Sequence, residues 1–188
     1  MAKTTHGSQT ATSDESSVTE LTVGKLEGKA YGAALSYLTT MEASDSGHAD
    51  VQDYVVAYSF EEAEGLYHME DGALVWHEPE EENCHIEIAV RSASDGRFVP
   101  SLSVTATLRY PDGTEVCNFD LPFLWHPWVY HYNRNCVVPE DGRYYLKVEI
   151  APPTFPRHDR VNGKRFAEPV SVDFEVNIKT GCKQGKAA

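Results

Sequence analysis

From Ala30 to Val90, a run of 61 residues, the chain has no lysine and no arginine. The same stretch carries 14 acids, which leaves 15 acids against 16 bases elsewhere, so the formal net charge of -13 sits in one third of the length. Neutralising phosphates needs a basic face, and a net charge of -13 argues against nucleic acid as a general partner. The acidic stretch reads either as a solvated surface or as a field that attracts cations or a basic partner.

Long apolar runs are also missing. Nothing approaches the roughly 20 residues of a membrane span, so the chain is not expected to be membrane-embedded. The first residues, Met1-Ala2-Lys3-Thr4-Thr5-His6-Gly7, show no apolar leader segment. That leaves the cytoplasm, or an extracytoplasmic protein whose leader is not in this sequence. Cys-x-x-Cys, Gly-x-Ser-x-Gly and His-Glu-x-x-His are absent, which argues against thioredoxin-type, serine-hydrolase and zincin chemistry. The cysteines Cys84, Cys117, Cys136 and Cys182 permit two disulfides in any of three pairings. Buried free thiols are the favoured reading.

What is present suits one domain. The 188 residues are 41% hydrophobic, enough for a core and too much for wholesale disorder. Residues 1–20 are small and polar and read as a flexible, disordered tail. Residues 21–52 read as an N-terminal extension packed on the domain. Within it Gly28, Gly32 and the apolar run Ala33 to Leu38 fit a short strand or a helical turn. Residues 53–179 form the domain proper, and residues 180–188 a C-terminal tail.

Inside residues 53–179 the apolar residues recur with period two. Ile86, Ile88 and Val90 fall on one face, His85 and Glu87 on the other. Val104, Ala106 and Leu108 share a face, as do Tyr144, Leu146, Val148 and Ile150. Val170, Val172, Phe174, Val176 and Ile178 make the longest such row. This is the alternation of half-buried strands. Turn signals at Asp71-Gly72, Asp95-Gly96, Pro111-Asp112-Gly113 and Asp141-Gly142 separate the runs. About seven short strands with frequent turns predict an all-β, immunoglobulin-like antiparallel β-sandwich.

Four histidines stand in informative surroundings. His85 and Glu87, two apart on a strand, leave the same face with Cα atoms roughly 6.5 to 7 Å apart. They can converge on one metal ion. His126 and His131 lie in an aromatic segment, Leu121 to Tyr132, and His158 lies in the proline-bounded loop Pro156-Arg157-His158-Asp159. Spacing alone does not gather residues so far apart.

The order of several pieces does carry a resemblance. They are His85-Ile86-Glu87, His131-Tyr132, Gly142-Arg143-Tyr144-Tyr145-Leu146-Lys147-Val148, and Pro152-Pro153-Thr154-Phe155-Pro156-Arg157-His158-Asp159, with Gly163-Lys164-Arg165-Phe166-Ala167-Glu168-Pro169 behind. Together they resemble the periplasmic iron-transport accessory family, copper-binding β-sandwich proteins encoded beside iron permeases. The resemblance implies a metal held by His85, His131 and His158, with an acid at Asp53 and a methionine. It also implies a homodimer with metal sites near the interface, a periplasmic location, and an iron permease or other transport component as partner. It implies binding, not catalysis.

The sequence departs from that pattern at the methionine. Leu121-Pro122-Phe123-Leu124 contains none, and Asn133 stands where the family usually has glycine. Without a thioether, and with Glu87 and His126 available to complete the shell, the expected ion is Cu(II), Zn(II) or Fe(II) rather than Cu(I). Each imidazole must be neutral to bind, so affinity should fall below about pH 6. The alternative reading is a ligand-binding module, with Trp125, Trp128, Tyr130 and Tyr132 as an aromatic platform for carbohydrate or peptide.

Overall fold

The period-two rows become strands wherever the sequence shows them. A computed structural model describes residues 9–180. In chain order the elements are helix α1 (Val18–Met41) and strands β1 (Asp45–Val51), β2 (Tyr54–Glu61), β3 (Leu66–Glu70), β4 (Ala73–His77), β5 (Cys84–Ser92) and β6 (Val104–Arg109). They continue with β7 (Glu115–Leu121), β8 (Phe123–Trp125), β9 (Tyr130–Cys136), β10 (Gly142–Ile150) and β11 (Val170–Ile178). One sheet runs β1-β2-β5-β9-β8, the other β11-β10-β6-β7, and every pairing is antiparallel. The hairpin β3–β4 stands apart as its own two-stranded sheet.

The two larger sheets form a sandwich, because each turns one apolar row inward. Tyr54, Val56, Tyr58 and Phe60 of β2 and Ile86, Ile88 and Val90 of β5 meet Val104, Ala106 and Leu108 of β6. Leu146, Val148 and Ile150 of β10, with Val170, Val176 and Ile178 of β11, complete the core. Val172 and Phe174 pack against its margin. The chain crosses between sheets at Pro122, which separates β7 from β8. At Gly113, φ is +91° and its N–H bonds the Tyr110 carbonyl, closing the β6–β7 hairpin.

Ahead of β2 the structure departs from the sequence-based expectation. Residues 21–52 hold most of a 24-residue helix followed by strand β1. The boundary expected at residue 53 therefore falls inside the β1–β2 hairpin, whose register runs from Asp45↔Phe60 to Val51↔Tyr54. Ser17 caps the helix: its side chain accepts from Glu20 N–H, and the Glu20 carboxylate accepts from Ser17 N–H. The inward face is Gly24, Gly28, Leu35 and Leu38. A Cβ at Gly28 would collide with the carbonyl oxygen of Asp95, so the first half of the helix lies backbone against backbone on the Asp95-Gly96 turn. Further along, Leu35 and Leu38 settle on Ala57, Ala89 and Val129. Ala57 and Ala89 are direct partners on β2 and β5, small enough to admit the helix.

Part of the expected tail is also tied down. Residues 1–8 and 181–188, the latter including Cys182, lie outside the described residues. From residue 9 onward the segment is held by side chains: Ala11 exchanges two hydrogen bonds with the Asn162 amide, at 3.0 and 2.9 Å. Ser13 Oγ donates to Asp159 Oδ2 (2.9 Å), and Thr10 Oγ1 lies 2.7 Å from Ser94 Oγ. Asp159 organises this clamp, accepting also from Val161 N–H and from Asn162 N–H and Nδ2.

The Asn162 side-chain and backbone bonds are the main reason that the Asp159 carboxyl is held down to about 2. Its contribution is complete above the ordinary carboxylate range near ~4 and is lost as pH falls through the lowered value. Asp159→Ala should therefore free residues 9–17 at neutral pH, read as faster proteolytic cleavage there with the sandwich intact. Unchanged cleavage would show that Asp159 does not organise the segment.

Candidate metal centre

The outer face of the five-stranded sheet carries an unusual row. On β5 the residues pointing away from the core are His85, Glu87 and Ala89. Register places Ser59 and Glu61 of β2 beside them (Ser59↔Glu87, Glu61↔His85), and Asn133 and Asn135 of β9 on the other side (Glu87↔Asn133, His85↔Asn135). His131 follows on β9, two residues before Asn133 and on the same face. Sequence parity alone makes this a solvent face. Helix α1 covers one end and the loop Glu62–Gly65 the other, so His85 and His131 are each only 1% exposed and Glu87 5%.

One ligand atom from each of His85, Glu87 and His131 lies within 4.8 Å of the other two. Glu87 Oε1 is 3.0 Å from His131 Nε2 and 4.0 Å from His85 Nε2. The hydrogen bonds around His85 fix its tautomer. Asn135 Nδ2 donates to the Glu64 carbonyl (2.7 Å), and Asn135 Oδ1 accepts from Glu64 N–H (3.2 Å). Oδ1 is thereby the atom facing His85 Nδ1 at 2.7 Å, so Nδ1 carries the proton and Nε2 presents its lone pair to the cluster. This is how ligating histidines are commonly oriented.

His131 is the least satisfied group. Its contact with Glu87 is close but poorly aligned, and both ring nitrogens are buried without a hydrogen bond among the described residues. Such orphaned buried nitrogens are costly and uncommon, and they fit a site built for a metal ion.

The carboxylates divide their roles. Burial works against ionising Glu87, but the His131 contact, the nearby imidazoles and the Ser59 hydroxyl (2.6 Å) outweigh it and hold the carboxyl below the usual range. Glu61 goes the other way: burial first, then the charge of Glu87, pushes it well above the usual range. Two adjoining buried carboxyls resolve into one ionised and one protonated. Sequence reasoning missed Glu61, because its partnership with His85 depends on strand register.

The other expected site residues behave differently. His126 lies beside the cluster, its ring centroid 6.4 Å from that of His131. Burial, then the charge of His131, lowers its pKa, which favours the neutral form that binds metal. Leu124 is the direct cross-strand partner of His131, so an isobutyl group stands where a thioether was expected.

His158 does not join within this chain. Its side chain is 92% exposed and pairs with Glu15 at 3.2 Å. Asp53 does not join either: it binds Arg165 at 3.1 Å and accepts from Phe166 N–H at 3.0 Å, pinning the loop before β11. A similarity of sequence segments carries over a position along the chain, not the direction of its side chain. Cys84, Cys117 and Cys136 are free thiols away from the ligand row, with Cys84 and Cys136 facing each other across β5 and β9.

The aromatic residues do not make a platform. Tyr132 is buried, its hydroxyl donating to the Val99 carbonyl and accepting from Leu102 N–H. Trp128 packs edge-on to Tyr37 of the helix and to His126. Trp125 and Tyr130, paired across β8 and β9, remain together and exposed next to Phe123, and Trp128 keeps part of its surface exposed.

Comparison with known proteins supplies the family. The model for an Fe2+ transport protein matches residues 65–179. The chain belongs to this family. Comparison with curated proteins gives no match. Among solved structures, FetP of uropathogenic E. coli strain F11 superposes with TM-score 0.60 at 20% identity, covering 74% of this chain and 95% of that one. The copper-reconstituted P19 protein of Campylobacter jejuni gives TM-score 0.62 at 17% identity, covering 73% and 96%. A copper-bound FetP variant gives 0.59 at 19%, covering 70% and 93%. At these identities the likeness establishes the β-sandwich. The family match excludes α1 and begins just before β3.

Proposed function

We propose that this member of the Fe2+ transport family holds one divalent copper, iron or zinc ion in the cluster His85, Glu87 and His131, as an extracytoplasmic accessory of an iron-uptake system. The observation that carries this reading is His131, an imidazole with both nitrogens buried and unbonded beside an ionised carboxylate. The copper named for FetP and P19 agrees with it. His126 is the nearest further ligand. The role is binding and delivery, with an iron permease or related component as recipient. No described helix is long and apolar enough to cross a membrane, which suits a protein that serves a transporter from outside the bilayer.

A homodimer is part of the same proposal. Phe123, Trp125 and Tyr130 are exposed along the short edge strand β8 and its neighbour, beside the cluster. Exposed aromatics on an edge are suited to an interface. His158, fully presented to solvent, is then available to a second copy. Light scattering at high protein concentration should give twice the chain mass, and a monomer would remove this part.

The ion preference has its own test. Leu124→Met places a thioether directly across from His131 and should shift competition titrations toward Cu(I), by at least about tenfold on ligand-softness grounds. Tightest binding to Cu(I) in the unmodified protein would overturn the preference for divalent ions.

A further inference from the structure

We propose that the β3–β4 hairpin carries a second, solvent-exposed site for a divalent transition-metal ion, formed by His68, Glu70 and His77. The two faces of this hairpin have different contents. On one, Tyr67 stands opposite Trp76 and Met69 opposite Leu74, with the two rings 4.8 Å apart. A two-stranded hairpin outside any larger sheet is marginal alone, and this aromatic pair is its internal support. The turn is favourable too, since Asp71 and Gly72 both have positive φ, at 47° and 83°.

The other face has no such packing role. It holds Leu66, His68 and Glu70 against His77, Val75 and Ala73. The His68 and His77 rings lie 5.1 Å apart at 85°, and Glu70 Oε1 is 2.7 Å from His77 Nε2. His77 and Glu70 are 48% and 50% exposed, which leaves their side chains room to turn, and the site requires such a rotation to bring all three onto one ion. These residues open onto a cavity of about 590 Å3. Its far wall includes Glu80, Glu82, Arg134 and Asn135. Apart from Arg134, which donates to the Asp120 carbonyl and lies over Phe119, the charged lining is anionic. The basic-residue gap noted in the sequence therefore becomes a negative basin around two imidazoles.

Two imidazoles and a carboxylate are a borderline donor set, suited to Cu(II) or Zn(II), with coordination positions left for water. Such a site exchanges its ion readily, unlike the enclosed cluster on the sheet. The cavity wall also includes Asn135, the residue that orients His85, so the hairpin site adjoins the buried one. No ligand is shared, and the proposal stands whether or not the buried cluster is a metal centre.

The test is an equilibrium titration of the full chain with Zn(II) under chelator competition, repeated with Cu(II) and read by electron paramagnetic resonance. The unmodified protein should take up two equivalents. The double variant His68→Gln/His77→Gln should lose the weaker one, with affinity there lowered at least about tenfold, and keep the other unchanged. His131→Ala should show the reverse pattern, so failure of either site is distinguishable. Both histidines are on an exposed hairpin, and circular dichroism of the double variant should match the parent. A double variant that binds as much metal as the parent, with the same Cu(II) spectrum, would overturn the proposal.

Discussion

In the double variant Glu87→Gln/His131→Leu, stoichiometric metal binding at the sheet cluster is expected to disappear while the metal-free protein melts no lower than the parent. The two halves have one cause. His131 brings two ring nitrogens into the protein with no hydrogen bond for either among the described residues, a burden of about 1–3 kcal/mol for an unsatisfied buried polar group. Leucine removes that cost and fills comparable space, and glutamine spares the sheet a buried carboxylate that has lost its imidazole partner, so the apoprotein gains or breaks even. The same changes leave His85 alone of the three to hold the ion, and affinity should fall by at least about 100-fold. A site that costs stability when empty is expected of a binding centre. A histidine kept for packing would give the opposite result, with lower melting and unchanged metal content.

In Leu38→Asp, helix α1 is expected to leave the sheet while the sandwich stays folded. Leu38 is buried against Ala57, Ala89 and Val129, and it lines the narrow cleft that also contains Glu87 and His131. Substitution forfeits roughly 2–3 kcal/mol of apolar burial and sets a second carboxylate near the ionised Glu87. The helix has limited means to resist. Its inward face is half glycine, and besides the backbone contact at Gly28 it meets the sheet through Leu35, Leu38, the Tyr31 hydroxyl bond to the Tyr130 carbonyl, and the ring contacts Tyr31–Phe98 and Tyr37–Trp128. Local opening then costs less than global unfolding. Hydrogen exchange should show residues 18–41 losing protection while β5 and β10 keep theirs. Metal exchange at the cluster should become faster, since the helix forms one wall of the cleft. Unaltered protection across 18–41 would show that the helix is held by contacts other than these.

The same helix shows where the sequence was hard to read. Strands announce themselves when one face is apolar, and the rows at 86–90, 104–108, 144–150 and 170–178 all do. Helix α1 has no comparable apolar stripe. It approaches the sheet through Gly24 and Gly28, which contribute closeness rather than hydrophobicity, so the periodic signal of a buried helix is largely absent. The expected extension over residues 21–52 contained the helix without displaying it.

The site was legible in proportion to how local its parts are. His85 and Glu87 are two apart on one strand, and parity alone puts them on one face. His131 came from the family resemblance, and β9 brings it there by pairing with β5. Glu61, Ser59 and Asn135 depend on the registers Glu61↔His85, Ser59↔Glu87 and His85↔Asn135. These are long-range facts that no spacing encodes. Asp53 and His158 were placed by likeness of segments, and each has found another partner: Arg165 for one, Glu15 for the other. Trp125 and Tyr130 are five apart, an odd spacing that would put them on opposite faces of one continuous strand. The turn at Pro127 folds β8 back on β9 and makes them cross-strand partners.

The most direct test of the metal centre is anomalous diffraction from a crystal of the copper-loaded chain, measured at the copper edge. A peak should lie about 2.0–2.2 Å from nitrogens of His85 and His131 and from a Glu87 oxygen, as short imidazole and carboxylate bonds require, with no sulfur in contact. Copper found only elsewhere on the protein, with His131 still unligated, would contradict the account.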